Sequence, residues 1–273
     1  MKFTLVGASG FIGGALAARL RAHGHEVFAP RRGSRGLLDR ALGHLIYAAG
    51  VTGDFRTRPF DTLRAHTTLL AELLEHSDFS SLLYLSSARI YRHAEHGGED
   101  AAIFLHSEDP EDLYDLTKMT GEALCHASNR TRVRVVRLTN VVGADFHSRN
   151  FLFDLIRAAC DTGRIELRSD PDSAKDYVLL DDVLEMLPRI ALEGREVCYN
   201  LGGGRNLRHA DLLAPILDIT GARLNVREGA PRIAAPVVDI GRVRDEFSFL
   251  PAQVLPRIPE LVRQYRKLNH AQN

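Results

Sequence analysis

Several features are missing from this sequence, and each absence removes a class of function. No Cys-x-x-Cys pair occurs, and Cys125, Cys160 and Cys198 stand far apart. That spacing argues against a zinc ribbon or a dithiol redox centre and leaves small buried thiols as the expectation. No apolar run has the length of a membrane span, and Met1 to Gly7 leads into a strand with neither a signal core nor a cleavage site, so a cytoplasmic protein without membrane partners is expected. Neither charge is in excess: 35 Lys and Arg balance 35 Asp and Glu. A general attraction to nucleic acid is therefore not expected, and any anion site must be local. Internal repeats and low-complexity segments are also absent.

What is present is alternation. Short apolar segments at Phe3 to Val6, Glu26 to Ala29, Leu45 to Ala48, Leu82 to Leu85 and Val133 to Leu138 read as strands, with amphipathic helices after all but the second. This predicts an α/β fold, a Rossmann-type doubly wound parallel sheet with a smaller C-terminal lobe. Only thirteen residues, rich in Arg and Gly, lie between Pro30 and His44, too few for another helix and strand, so one crossover is expected to be trimmed. Beyond Asn140 the alternation weakens. A dinucleotide-binding domain over residues 1–145 and a substrate lobe over 146–273, with the chain returning to the sheet, is the expected division.

Gly7-Ala8-Ser9-Gly10-Phe11-Ile12-Gly13 follows the first strand and precedes a helix expected over Ala15 to Ala22. Glycines there permit a tight turn and close approach of a pyrophosphate to the amides of a helix N-terminus. Gly7, Ser9, Gly10, Phe11, Ile12 and Gly13 are therefore candidate cofactor contacts. After the second strand stands Pro30-Arg31-Arg32-Gly33-Ser34-Arg35, where a carboxylate for ribose hydroxyls is usual. Guanidinium groups suit a 2′-phosphate, so Arg31 and Arg32 point to NADP, with NAD as the alternative.

Tyr114 and Lys118 are four residues apart in a helical stretch, which puts both on one helix face. A nearby ammonium stabilises a phenolate, making Tyr114 a candidate for proton exchange with a carbonyl oxygen. Ser87 closes a buried strand at the sheet edge where ligands bind in open α/β sheets, and its hydroxyl is placed to hold the same oxygen.

Together these segments resemble an extended short-chain dehydrogenase/reductase, in the branch of nucleotide-sugar epimerases, dehydratases and ketoreductases. The resemblance also rests on Ala48-Ala49-Gly50, Ser86-Ser87-Ala88-Arg89-Ile90-Tyr91, Arg137-Leu138-Thr139-Asn140, Lys175-Asp176-Tyr177-Val178, Asp181-Asp182-Val183 and Tyr199-Asn200-Leu201-Gly202. It implies catalytic roles for Ser87, Tyr114 and Lys118, with Tyr114 and Lys118 also meeting the cofactor. It places Ala48, Ala49, Gly50 and Val141 along the cofactor, and Ser87, Asn140 and Lys175 at the substrate. Lys175 stands where the family usually has Arg, which keeps the charge and loses the bidentate fork. A homodimer built through the Tyr114 helix and the one before it is implied as well.

Within that branch, 4,6-dehydratases carry an Asp-Glu pair directly after the catalytic hydroxyl, where this chain has Ala88-Arg89. The fucose-synthase type places a Cys where Arg89 stands. An NADPH-consuming reductase of a nucleotide-linked keto-deoxysugar is the expectation, with an NAD-dependent epimerase as the alternative. A noncatalytic NADP-sensing regulator would share the glycine cradle, but such proteins typically lose the Tyr and Lys pair. A reductase of small carbonyls would need no diphosphate site. The acidic run Glu108, Asp109, Glu111, Asp112 and Asp115 reads as favourable charge at the helix start, mostly facing solvent. His93, His96 and His106 lack metal-ligand spacing, so no metal is expected. Arg149, Arg164, Arg168, Arg205 and Arg208 fall in the lobe and include candidates for a substrate diphosphate.

Overall fold

The computed structural model describes residues 1–34, 36–146 and 150–272, so Arg35 and Arg149 lie outside the described residues. The element order is β1 (Lys2–Val6), α1 (Phe11–Ala22), β2 (Glu26–Phe28), β3 (His44–Tyr47), α2 (Pro59–Leu63), α3 (Leu69–His76), β4 (Ser81–Ser87), α4 (Asp112–Ala127), β5 (Val133–Leu138) and β6 (Asn140–Val142). It continues with α5 (Phe151–Arg157), β7 (Arg164–Leu167), β8 (Ala174–Leu179), α6 (Leu180–Glu193), β9 (Cys198–Leu201), β10 (Asn206–Arg208), α7 (His209–Thr220), β11 (Arg223–Val226), α8 (Gly241–Phe247) and α9 (Ile258–Gln272).

Strands β1, β3, β4 and β5 are buried along nearly their whole length, as befits a parallel sheet covered on both faces. The sheet is fully parallel, in the order β2-β1-β3-β4-β5-β9. One face packs Leu16, Leu20, Val183, Leu187 and Ile190 of α1 and α6 against Leu5, Leu83 and Val136. The other packs Leu70, Leu73 and Cys125 of α3 and α4 against Leu45, Tyr47, Tyr84 and Val135.

From β1 the chain steps outward to β2 and then crosses to β3 on the other side of β1. The carboxyl ends of β1 and β3 thus form the switch point at which such sheets open a binding crevice. No helix lies between Phe28 and His44 among the described residues, so β2 stays at the edge and one crossover is missing. Leu37 and Leu42 of this short link plug the core instead.

The helix after β1 begins at Phe11, earlier than the expected Ala15, because Gly13 and Gly14 sit inside its first turn. The glycine cradle is therefore the start of the helix itself. Beyond β5, β6 joins β8 and β10 in a second small sheet, and β7 pairs with β11. A separate core there joins Phe153 and Ile156 of α5, Leu212 and Ile216 of α7, and Ile258 and Val262 of α9. Between those pieces α6 and β9 pack back onto the main sheet.

Candidate active site

The sequence-selected residues on the main sheet, Gly7, Ala48 and Ser87, stand at or just beyond the carboxyl ends of β1, β3 and β4, while Asn140 and Lys175 stand at the amino ends of β6 and β8. At the switch point, Gly7 has φ +93°, and a Cβ on it would lie 2.5 Å from the Ala49 amide nitrogen. A Cβ on Gly13 would run into the Gly7 carbonyl. Both positions hold backbone close to backbone, which only glycine allows. The Gly10 cap of α1 offers no side-chain hydrogen bond to the first turn, and Ser9 and Gly10 are exposed. The amides at this helix start are thus left for an anionic ligand, and the cradle fits a dinucleotide pyrophosphate.

Gly50 borders the same opening. A Cβ there would approach His66 Nε2 at 3.1 Å and Lys118 Nζ at 3.6 Å, so Gly50 lies beside the Lys118 ammonium. Arg31 and Arg32 are exposed just past β2. Val141 is partly buried against the main core, and Phe11 approaches the chain at Gly143.

The catalytic candidates are set by β4 and α4. Ser87 ends β4, and its Oγ accepts the Arg89 N–H at 3.2 Å, capping the short 3₁₀ turn Ala88–His93. That contact uses a lone pair and leaves the hydroxyl proton free. Tyr114 is only 7% exposed, and the Ser87 side chain stands near enough to act on its phenol. Burial pushes its phenol up to about 12, the Ser87 contact opposing that rise. Lys118 is one turn on, fully inside α4, and donates to the Leu85 carbonyl at 2.8 Å. Burial lowers its pKa to about 7, and Glu122 partly offsets the fall. The ammonium lies 5.9 Å from the Tyr114 ring centre, close enough to bias a phenolate in a site from which water is excluded.

His66 was not foreseen. It sits in the π-helical turn Arg64–Thr68 between α2 and α3, fully buried, with its ring edge-on to Tyr114 at 5.1 Å. Val51 N–H donates to Nε2 at 3.3 Å, so Nδ1 carries the proton and donates to Thr117 Oγ1 at 2.7 Å. Thr117 in turn donates to the Tyr114 carbonyl at 2.9 Å. Burial, then the Lys118 charge, hold His66 down at about 2, so it is a neutral fixed strut. The available signal was a ring among the apolar positions Ala65, Leu69 and Leu70 of a helical stretch. A second overlooked signal is the scarcity of lysine: the chain has only Lys2, Lys118, Lys175 and Lys267, and two of the four lie in this region.

Arg89 was noted only for what it replaces. Its guanidinium lies over the rings of Phe55, at 5.2 Å, and Tyr114, at 5.7 Å. It pairs with the buried Asp115 carboxylate and, at 3.1 Å, with Glu111, which also binds Arg56. Arg92 pairs with Asp109 and with the buried Asp112, whose other oxygen accepts the His106 N–H at 2.7 Å. The acidic run therefore departs from the expectation of solvent-facing charge. Asp112 and Asp115 are buried because Arg92 and Arg89 neutralise them, clamping the Ala88–His93 turn to α4. His93, Asp109 and Asp112 gather donor atoms within 4.8 Å, but the Arg92 guanidinium already contacts both carboxylates.

Across the cleft, Asn140 donates its amide to the Asp176 carbonyl at 2.7 Å, fastening β6 to β8. The Lys175 side chain makes no hydrogen bond or ion pair among the described residues. Burial, and then the charge of Arg89, hold its pKa below the usual lysine value. It is a half-buried cation whose charge is repelled by that of Arg89, a repulsion that a bound anion would relieve. Asp176 instead accepts the backbone N–H groups of Gly203 and Arg205 at 2.7 and 3.0 Å. Of the lobe arginines, Arg208 is tied to Asp172 and Asp211, while Arg164, Arg168 and Arg205 are exposed.

This constellation on a parallel sheet agrees with a match of residues 3–202 to the model of the NAD dependent epimerase/dehydratase family. The chain belongs to that family. Among curated relatives, a dTDP-glucose 4,6-dehydratase of Streptomyces griseus is 28% identical over 197 residues, covering 68% of this chain and 58% of the relative. The chain thus spans well under two thirds of that dehydratase's length. Two solved structures are similar in fold. MoeE5 in complex with UDP-glucose and NAD superimposes with a TM-score of 0.81 at 21% identity, over 97% of this chain and 99% of that one. RMD from Pseudomonas aeruginosa complexed with NADPH gives 0.77 at 21% identity, over 98% and 100%. No helix among the described residues is long and apolar enough to cross a membrane.

Proposed function

We propose that the chain reduces a keto group of a nucleotide-linked deoxysugar with NADPH, Tyr114 giving its proton to the carbonyl oxygen. The observation that carries this reading is the buried Tyr114 phenol, beside Ser87 and one turn from Lys118, whose ammonium lies 5.9 Å from its ring centre. Burial keeps the phenol protonated until about pH 12, which suits a proton donor. The nicotinamide, when bound, supplies hydride. Ser87 orients the carbonyl oxygen, and the Lys118 charge stabilises the phenolate left on Tyr114.

The cradle Gly7 to Gly13 would take the cofactor pyrophosphate, with Ser9, Gly10, Phe11 and Ile12 at its rim, and Ala48, Ala49, Gly50 and Val141 would border the rest. The exposed Arg31 and Arg32 support a 2′-phosphate, as does the absence of an acidic residue among 29–34. Lys175 is the proposed contact for the substrate diphosphate, with Asn140 shaping the strand beside it. Residues 1–145 would hold the cofactor, and 146–273 would mainly form the substrate lobe. A homodimer through α2, α3 and α4 is supported by Phe60 and Leu63, both exposed on α2.

Dehydration, the activity named for the Streptomyces relative, is disfavoured here because Ala88-Arg89 offers no acid and base pair after Ser87. An epimerase that retains NAD is the second reading, favoured by the NAD bound to MoeE5. The deciding experiment follows NADPH and NADH oxidation with nucleotide-linked 4-keto-6-deoxyhexoses. Stoichiometric NADPH consumption that disappears in Tyr114→Phe supports the reductase. Tightly held NAD, with two sugar nucleotides interconverting without added reductant, replaces it with the epimerase. NADP binding with no turnover of any carbonyl would leave a regulator.

A further inference from the structure

The amino-terminal edge of the main sheet, opposite the proposed catalytic edge, has a cavity of about 270 Å³ between the end of α4 and the starts of β5 and β9. Arg130, Arg132, Arg134 and Arg195 line it, with Glu196 as its only lining carboxylate. Arg130 donates to the Leu74 and Ser77 carbonyls, each at 3.0 Å, and stacks on Phe79 at 4.1 Å. Arg132 donates to the Leu192 carbonyl at 2.6 Å, and Arg134 to those of Gly194 and Ala191 at 2.6 and 3.3 Å. Among the described residues, none of these three arginines has a carboxylate within ion-pair distance.

Arg134 is only 9% exposed, and burial, with Arg132 adding its like charge, holds its pKa below the usual value. Arg195 is 85% exposed, and its Nε is 3.9 Å from a Glu246 carboxylate already engaged by the Arg195 N–H and the Tyr199 hydroxyl. Asn129 and Arg132 adopt φ of +53° and +61°, costly for residues with a side chain and sustained only when the surroundings hold them. Three full positive charges are thus held in place by main-chain carbonyls and, for Arg130, the Phe79 ring, without a carboxylate partner among the described residues. Each guanidinium has five N–H donors, and the main chain uses only some of them.

We propose that this cavity binds a small phosphate-bearing anion, at a site separate from both the cofactor cradle and the substrate cleft. The length of β4, which runs from one edge to the other, sets the separation at roughly 20 Å. The size of the cavity suits one or two phosphate groups rather than a peptide. The arginines are already anchored, so little side-chain ordering opposes binding, and planar forks match phosphate oxygens.

Calorimetric titration with inorganic pyrophosphate tests this, using the full chain carrying Lys175→Gln and saturated with NADPH, so that neither the substrate cleft nor the cofactor cradle contributes. Single-site binding is expected, weakening steeply as salt is raised. It should fall by about tenfold or more when Arg132→Gln and Arg195→Gln are added, since each removes charge-assisted hydrogen bonds. Arg134 is left intact because it satisfies buried carbonyls, and matching urea unfolding curves identify a folded variant. Absence of binding in the Lys175→Gln protein, or undiminished binding in the folded triple variant, overturns the proposal. So does a tri-glutamate peptide that binds as tightly as pyrophosphate, which would make the cavity a dock for acidic protein segments.

Discussion

The Arg137 guanidinium on β5 lies 2.7 Å from the Glu122 carboxylate on α4, and both side chains are buried. Ser86 donates to the same carboxylate at 2.5 Å, and Arg137 also donates to the Tyr91 hydroxyl at 2.7 Å. One ion pair therefore joins α4, β4, β5 and the turn after Ser87, the four pieces that position Tyr114. Glu122→Leu would leave a buried guanidinium without its counter-ion and is expected to cost about 3–5 kcal/mol. Adding Arg137→Met should recover part of that loss, because two apolar groups leave no charge stranded. Urea unfolding of the two single variants and the double variant measures both terms. A double variant as unstable as the sum of the singles would refute the pairing argument.

Much of this architecture was legible in sequence because its causes are local. Continuous apolar runs mark strands covered on both faces, and the glycines of the cradle are required by backbone contacts that follow directly from β1 meeting β3. The trimmed crossover was visible as a simple shortage of residues after Pro30. What stayed hidden depends on pairing over distance. Asp112 and Asp115 look like solvated helix-start charges until Arg92 and Arg89, some twenty residues earlier, are folded onto them. His66 is 51 residues from Thr117, and no local pattern ties a ring in one helix to the Tyr114 turn of another. The start of α1 was displaced because glycine inside a first turn reads as a loop by propensity, while packing against Gly7 and Ala8 makes it helix.

Gly121 tests how closely α4 lies on the sheet. A methyl there would overlap the Tyr84 phenol ring, itself fully buried beneath the helix. Helix propensity alone would make Gly121→Ala favourable by about 1 kcal/mol. Overpacking costs typically about 1–3 kcal/mol, and Tyr84, held between Tyr47 and the Lys118 ammonium, has little room to turn. Net destabilisation is therefore expected, with a matching loss of activity as the Tyr114 face tilts away from Ser87. A more stable Gly121→Ala protein would mean that α4 can slide.

Arg89 supplies a test whose pH dependence identifies the partner. Arg89→Ala strands the Asp115 carboxylate, which is buried and whose pKa burial already raises against the opposing effect of Arg89. Without the guanidinium that pKa should rise further. A carboxyl group with a folded pKa above its unfolded value costs stability when ionised, and that cost disappears as pH falls and it protonates. The destabilisation in Arg89→Ala should consequently be large near pH 8 and smaller near pH 5, measured by urea unfolding at both. A loss independent of pH would assign the effect to the packing of Arg89 on Phe55 and Tyr114 instead.

The sign of the reaction's pH profile follows from Lys118. Its pKa is lowered from 10.5 to about 7, while Tyr114 is raised to about 12 and His66 held near 2. Because kcat/KM reports groups of the free enzyme, neither Tyr114 nor His66 contributes a limb between pH 5 and 10. Lys118 is charged below about 7 and neutral above, and only its charged form stabilises the phenolate formed when Tyr114 gives up its proton. For carbonyl reduction, kcat/KM should be level below about 7 and decline above it. Folding stability should move the other way: the unfolded lysine binds its proton up to 10.5 and the native one only to about 7, so stability rises with pH across that window. Lys118→Met removes both trends, and its stability advantage over the parent protein should be greatest at the acid end. A parent protein whose kcat/KM instead climbs through neutral pH would take Lys118 out of the catalytic step.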